Sequence, residues 1–302
     1  MKVLVSGSTG LIGSALLPGL SKVNHAVARL VRPGKTPAPG DVIWDPAAGY
    51  IDLASLEGVE AVVHLAGENI AAGRWTPKQK EHIRYSRVKS TQLLAESLAA
   101  LARSPHVLIA ASAIGFYGDR GDEVLTEESP AGSGFLPQVC QEWEAATAPA
   151  AEKGIRVVNL RFGMVLAADG GALKMMLPAF RLGVGGPPGS GRQWVSWITR
   201  DDVLGIIQHA IADERLRGPV NAVAPESLTH RDFSRALGRV LHRPAIMPVP
   251  AFVLRLMLGE MADGLLLASD RVSPEKLKAL DYSFLYPGLD PALQHLLRPS
   301  LR

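Results

Sequence analysis

The segment VLVSGSTGLIG, residues 3–13, constrains the fold more tightly than any other stretch of the chain. An apolar, strand-like run enters glycines at positions 7, 10 and 13, and the chain leaves them on a helical pattern that begins near Leu11 or Ile12. The three glycines serve three physical ends, namely a tight reversal, close approach of backbone N–H groups to a diphosphate, and close packing of helix on strand. A plain strand-to-helix turn without a ligand is the bare alternative. Its place between strand and helix favours a dinucleotide site, with Gly7, Ser8, Thr9, Gly10, Leu11, Ile12 and Gly13 around the phosphates.

Strand-like runs then alternate with helical ones. KVLVS, AVARLV, AVVHLAG, HVLIAAS and IRVVNLRFG are separated by helical stretches at Leu11 to Lys22, Pro77 to Arg103 and Leu136 to Lys153. That rhythm predicts an α/β fold of the Rossmann type, a doubly wound parallel sheet. A Gly/Pro-rich stretch at Gly183 to Trp194 reads as a substrate-side loop, and a strand at Pro219 to Val223 returns to the sheet. From Glu226 the pattern is mainly helical, with Thr229 and Ser273 as N-caps. The expected organisation is a nucleotide-binding domain over 1–165, with 199–224 packing back onto it, and a smaller, mainly helical substrate-side lobe formed by 166–198 and 225–302.

The 302 residues are 47% hydrophobic, enough for one large core or two unequal ones. A net charge of +3, with acids and bases interspersed, argues against a nucleic-acid partner. Cys140 is the single cysteine, which removes disulfide frameworks and multi-cysteine zinc patterns and fits a reducing, cytoplasmic setting. No charged-then-apolar leader precedes the first strand, and no apolar run reaches the roughly 18 residues a membrane span needs. No metal site is expected, since Asp119, Arg120, Asp122 and Glu123 read as a solvated loop. The substrate is expected to be a small molecule; its identity and the subunit count are not legible.

The stretch before Asp41 contains no carboxylate, whereas Lys2, Lys22, Arg29, Arg32 and Lys35 lie within it. An acid after the second strand would bond a ribose 2′-hydroxyl, and a cation there accommodates a 2′-phosphate. Arg32, just past ARLV, has the planar donor fork for that phosphate, with Ser8 or Thr9 assisting, so NADP(H) is the expected cofactor.

The GxxGxxG spacing, with Ser6 where TGxxGxxG has its threonine, resembles the extended branch of the short-chain dehydrogenase/reductases. Later segments follow in the family's order: EAVVHLAGEN at 60–69, ASAIGFYG at 111–118, LRFGMVL at 160–166 and WITRDDV at 197–203. A narrower likeness, spanning nearly the whole chain through GEMADGLLLASDRVSPEKL, is to atypical epimerase-family proteins with their own short C-terminal domain. That subgroup is commonly labelled a nucleoside-diphosphate-sugar epimerase or a cell-division inhibitor. The resemblance implies NADP(H) binding, with Leu65, Ala66 and Gly67 lining the diphosphate and nicotinamide ribose and Arg161 at the strand end that faces the nicotinamide.

The family's catalytic Tyr, and the Lys four residues later, are missing. The helix that should carry them reads GFLPQVCQEWEAA, with Phe135 or Leu136 in the first position and Val139 or Cys140 in the second. YSRVK, at Tyr85 to Lys89, has the spacing but lies one unit too early. Ser112 and Tyr117 are the remaining candidates for catalysis, Ser112 equally readable as a satisfied strand-end serine and Tyr117 as a proton donor without a lysine to help it. Arg161, Arg192, Trp194 and Trp197 are either a pocket wall or filling at a domain junction. The chain therefore reads as an NADP(H)-dependent oxidoreductase or epimerase-like enzyme of unknown substrate, with a non-catalytic NADP(H) sensor or regulator as the alternative and sugar epimerisation as a weaker third.

Overall fold

The structure, a computed structural model, describes residues 1–34 and 37–297; Lys35, one of the expected cations, lies outside the described residues. Strands β1 (Lys2–Ser6), β2 (Ala26–Val31), β3 (Val42–Asp45), β4 (Tyr50–Ile51), β5 (Ala61–His64) and β6 (Val107–Ala113) alternate with helices α1 (Gly13–Lys22), α2 (Leu53–Leu56) and α3 (Pro77–Ala99). After β7 (Val124–Leu125) come α4 (Phe135–Ala145), α5 (Ala148–Glu152), β8 (Arg156–Phe162), β9 (Met164–Leu166) and α6 (Gly171–Arg181). β10 (Trp194–Val195), β11 (Trp197–Thr199), α7 (Arg200–Ala212), β12 (Gly218–Ala222) and β13 (Leu228–Thr229) lead to α8 (His230–Leu241) and α9 (Ala251–Leu258). The C-terminal part carries α10 (Glu260–Ala262), β14 (Arg271–Val272), α11 (Glu275–Ala279) and α12 (Leu289–Leu297).

Eight strands form the main sheet in the order β12-β8-β6-β5-β1-β2-β3-β4, parallel except for the edge pair β3 and β4. The period of two along each central strand divides the core. Val3, Val5, Ala61, Val63, Val107, Ile109, Val158 and Leu160 face one side, against Leu16 and Leu20 of α1 and Ile206 and Ile207 of α7. Leu4, Val62, Leu108 and Val157 face the other, against Leu94 and Leu98 of α3 and Ala150 of α5. Burial on both faces is why these strands read as unbroken apolar runs. A third cluster holds the substrate-side lobe: Leu173, Leu177 and Phe180 of α6, Phe233 and Leu237 of α8, and Leu289 and Leu293 of α12, around the fully buried Trp197.

Several boundaries differ from those read off the sequence. The first helix starts at Gly13, because residues 7–12 form the turn. The expected helix from Leu136 to Lys153 is two: α4 ends at Ala145 and α5 begins at Ala148, where Pro149 has no N–H to continue the ladder. Thr229 does cap α8, accepting from the Asp232 N–H at 3.2 Å. Ser273 is not a cap; Pro274 occupies that position in α11 and the Ser273 hydroxyl donates to Glu275. β3, β4 and α6 escaped the pattern reading. The first two are too short to show a period, and the apolar stripe of α6 is interrupted by Pro178. The Gly/Pro-rich loop is pinned to the C-terminal part, with Gly189 N–H donating to Val249 O at 2.9 Å and Val249 N–H to Pro187 O at 3.0 Å.

Candidate functional site

β1 leads to β2 on one side and β5 lies on its other side, so the strand order reverses between β1 and β5. At such a switch point the loops beyond the strand ends part and leave a crevice. Gly7 has φ +66°, and a Cβ there would lie 2.6 Å from the Leu65 carbonyl carbon, so the turn and the loop after β5 touch backbone to backbone. A Cβ at Gly13 would lie 2.3 Å from Gly7 O, whereas one at Gly10 would be 3.3 Å from the same oxygen. Gly7 and Gly13 are therefore demanded by the fold. Gly10 is exposed and is demanded only by what approaches it.

The turn closes with Gly10 N–H donating to Gly7 O at 3.0 Å, while the N–H groups of Leu11, Ile12 and Gly13 take no acceptor among the described residues. No acidic side chain stands in the first turn of α1. Open amides at the positive end of a helix fit an anion, and a diphosphate fits the space that the glycines keep open.

Beneath the turn lies a polar girder. The Leu65 and Ala66 N–H groups donate to Ser6 Oγ at 3.0 and 3.2 Å, and Ser6 Oγ lies 2.7 Å from His64 Nδ1. With two amides donating to it, the Ser6 hydroxyl donates to Nδ1, which leaves Nε2–H to donate to Thr91 Oγ1 at 3.0 Å. Trp143 Nε1 donates to the same oxygen at 2.9 Å. His64 is fully buried, and burial brings its pKa down to about 4. The ring is neutral, and it ties both phosphate-side loops to α3 and α4. Sequence reasoning missed His64; its signal was a histidine inside an otherwise apolar strand, followed directly by Leu65-Ala66-Gly67.

Of the cations near the second strand, Arg29 is engaged with Asp41, its Nε 2.9 Å from Oδ1, and that guanidinium holds the Asp41 carboxyl below the usual range. Arg32 follows β2 directly, is exposed and takes no carboxylate among the described residues. Gly67 is exposed, and a Cβ added there would meet the guanidinium of Arg87 at an ordinary contact distance of 3.6 Å; that guanidinium donates to Glu68 O.

The two residues expected at the chemistry are interior. Ser112 donates to Glu144 Oε1 at 2.7 Å, and Tyr117, wholly buried, donates to Asn221 Oδ1 at 2.7 Å. Arg161 joins them: Nε and Nη2 pair with the two Glu144 oxygens at 2.7 and 2.8 Å, Nη1 donates to the Tyr117 hydroxyl at 2.9 Å, and the guanidinium lies 3.5 Å from the Phe116 ring centroid. Burial raises the Tyr117 pKa despite the neighbouring arginine. Neither hydroxyl is free to face the crevice, because on β6 the period of two turns Ser112 inward and leaves Ala113 half-buried at the strand end. The four residues read as a pocket wall are not brought together: Arg192 is exposed, Trp197 is core, and Trp194 lies at the edge with Arg271 above it and Nε1 donating to Asp122.

Of the residues standing near the place of the missing pair, Leu136 and Cys140 are the ones turned toward the end of β6. Leu136 packs on Gly115 just beyond β6, and Phe135 turns instead to Trp75, ring centroids 5.3 Å apart. Cys140 is buried beside the Ala113 backbone with its thiol pushed up to about 12. Tyr85 of the YSRVK string is exposed on α3 and donates to Pro46 O, away from this helix face. Among the described residues no cluster of metal ligands exists, and no helix is long and apolar enough to cross a membrane.

A model of the NAD dependent epimerase/dehydratase family matches residues 3–222, and a domain of unknown function (DUF1731) matches 249–296. This chain belongs to the NAD dependent epimerase/dehydratase family. Within that family, an epimerase family protein of Mycobacterium bovis is 41% identical over 292 residues, covering 96% of each chain. Human epimerase family protein SDR39U1 is 35% identical over 300 residues, covering 98% of this chain and 100% of the relative. The crystal structure of human SDR39U1 with NADPH superposes with a TM-score of 0.89 at 34% identity, over 98% of this chain and 99% of that one. A nucleoside-diphosphate sugar epimerase from Corynebacterium glutamicum gives 0.82 at 39% identity, over 98% of this chain and 58% of that one. The family resemblance seen in the motifs is thus borne out, C-terminal domain included.

Titration of buried groups gives this family member a defined acid limb. His64 and His230 both have pKa values brought from 6.5 down to about 4 by burial, so each sheds stability as pH falls below 6.5. Asp270 opposes them. Its Oδ1 is shut from solvent without a partner, and burial, with Asp119 close by, pushes its pKa up to about 7, so its contribution falls as pH rises toward 7. Between pH 5 and 6 the folded chain binds about 1.5 to 1.8 fewer protons at the two histidines and about one more at the aspartate, a net slope of about 1 kcal/mol lost per pH unit of acidification. Urea melts across that range should show it, and Asp270→Asn should roughly double it; a flat wild-type profile would contradict the assignment.

Proposed function

We propose that this protein binds NADP(H) across the β1/β5 crevice and acts as an oxidoreductase of the epimerase family on a small molecule held under the C-terminal domain, in the cytoplasm. One observation carries the reading: three open amides at Leu11, Ile12 and Gly13, together with an exposed Arg32 that no carboxylate neutralises among the described residues. The human relative solved with NADPH supports the same cofactor.

When bound, the nicotinamide supplies or accepts a hydride. The chain's own residues do the rest: the glycine turn holds the diphosphate, Arg32 grips the 2′-phosphate, and the Ser6–His64–Thr91 girder keeps the loops at 7–12 and 65–67 in register. Calorimetry on the intact protein should show NADPH binding well ahead of NADH. Arg32→Ala should weaken NADPH by about 10- to 100-fold, the value of one charge-assisted phosphate contact, and leave NADH nearly unchanged. Equal losses for both would remove the basis for selectivity.

A second reading, an NADP(H) sensor or regulator without turnover, is supported by the sequence of α4, which offers no Tyr followed four residues later by Lys beside the end of β6. Sugar epimerisation needs that absent base most and fits least.

A further inference from the structure

The apolar side chains that the fold leaves outside are gathered on the substrate-side lobe. Among the described residues the five most exposed large apolar side chains are Met175 of α6, Leu182 just after it, Ile246, and Phe252 and Leu256 of α9, each 70–78% exposed. Met175, Pro178, Ala179 and Leu182 are all exposed and recur at the helical period, so α6 turns an apolar stripe to solvent while Leu173, Leu177 and Phe180 fill the core on its other side. Phe252 and Leu256 stand one turn apart on α9. The two helices are joined by segments that run side by side. Arg243 Nε donates to Arg181 O at 3.1 Å, a Cβ on Gly183 would lie 3.4 Å from Pro244, and Val249 N–H donates to Pro187 O at 3.0 Å just before α9 begins. A gathering of apolar exposure on this scale marks a surface made for contact.

Charge says what the contact is. Residues 170–200 and 233–259 contain no Asp or Glu, yet they hold Lys174, Arg181, Arg235, Arg239, Arg243 and Arg255, in a chain with 32 Lys and Arg against 29 acids. Asp232, Asp290 and Asp263 reach Arg235, Arg239 and Arg255 from outside these segments, and Arg181 and Arg243 take no carboxylate among the described residues. An open groove of about 580 Å³ is lined by Arg235, Arg239, His242, Arg243 and Ile246, so cationic and apolar groups share one surface. A second copy related by a two-fold axis would set this excess of cations against itself. A leaflet of acidic lipids instead meets the arginines with phosphates and takes the apolar tips into its acyl boundary. We propose that the substrate-side lobe docks on an anionic lipid surface through Leu182, Ile246, Phe252 and Leu256, with Arg181 and Arg243 on headgroup phosphates. Such docking lies on the bilayer and needs no spanning helix, in keeping with described helices none of which is long and apolar enough to cross one. It stands apart from the cofactor reading, since none of these residues belongs to the phosphate turn.

The test sediments the intact protein with vesicles of phosphatidylcholine alone and with vesicles in which one third of the lipid is phosphatidylglycerol. Expected are binding to the second kind only, weaker binding as salt screens the headgroup attraction, and at least about tenfold weaker binding for Phe252→Ser with Leu256→Ser and for Arg181→Glu with Arg243→Glu. All four side chains are exposed, so both double variants should melt with the wild type. Equal binding to the two vesicles, no binding to either, or unchanged binding in both double variants overturns the proposal. Sedimentation velocity without lipid adds the rival outcome: a dimer that Phe252→Ser with Leu256→Ser dissociates assigns the face to a second copy and overturns the lipid reading. Should a variant not fold, the wild-type comparison of the two vesicles decides the matter.

Discussion

Gly13→Ala should abolish nucleotide binding and unsettle the fold, while Gly10→Ala should fold normally and lose only affinity. At Gly13 the added Cβ would sit 2.3 Å from Gly7 O, a backbone atom held by the hydrogen bond from Gly10 N–H and by the contact of Gly7 with Leu65. Relief requires α1 to lift off the turn, which carries Leu16 and Leu20 out of the core with it. Overpacking of this kind costs about 1–3 kcal/mol, and displacement of the amides should cost at least 100-fold in NADPH affinity. At Gly10 the Cβ would meet only one atom, at 3.3 Å, so thermal melting should barely change. Differential scanning calorimetry and NADPH titration on both variants check the pair; similar melting losses in the two would show that the turn tolerates a side chain at neither position.

Arg161→Met should be the most destabilising single change in the upper half of the sheet. The guanidinium is 3% exposed, and its removal leaves Glu144, at 13% exposure, a carboxylate with only Ser112 to satisfy it. Stripping one partner from a buried pair costs about 3–5 kcal/mol, or about 6–20 °C in Tm for a chain of this size. Glu144→Leu combined with Arg161→Met should recover most of the stability, because two apolar side chains replace a desolvated pair at little net cost. If the single variant melts within about 2 °C of the wild type, the network is not a support of the fold. Tyr117 and Phe116 should shift with Arg161, through its hydrogen bond and its stacking.

Both predictions separate roles that a string of letters merges. The glycine triad looks uniform in sequence, yet two of its members answer to backbone clashes and the third to an incoming ligand. Ser112 and Tyr117 look like site residues because they follow a strand in the family's order. Their hydroxyls are nonetheless turned into the Glu144–Arg161 network, an outcome set by the register of β6 against β8 and by the phase of α4.

By itself the sequence determined the α/β class, the parallel sheet, the phosphate turn, the cation after the second strand and the absence of the Tyr–Lys pair. All of these are local in origin: they depend on a period of two or 3.6, on glycines that only certain backbone angles demand, and on residue types within a dozen positions of each other. Tertiary structure decided what depends on meetings between distant segments. His64 with Ser6 and Thr91, Arg161 with Glu144 and Tyr117, and Leu136 under the C-terminal domain are separated by 17 to more than 100 residues. Hydrogen bonds and packing at such separations follow from how helices dock on the sheet, and that docking is written in no single stretch of chain.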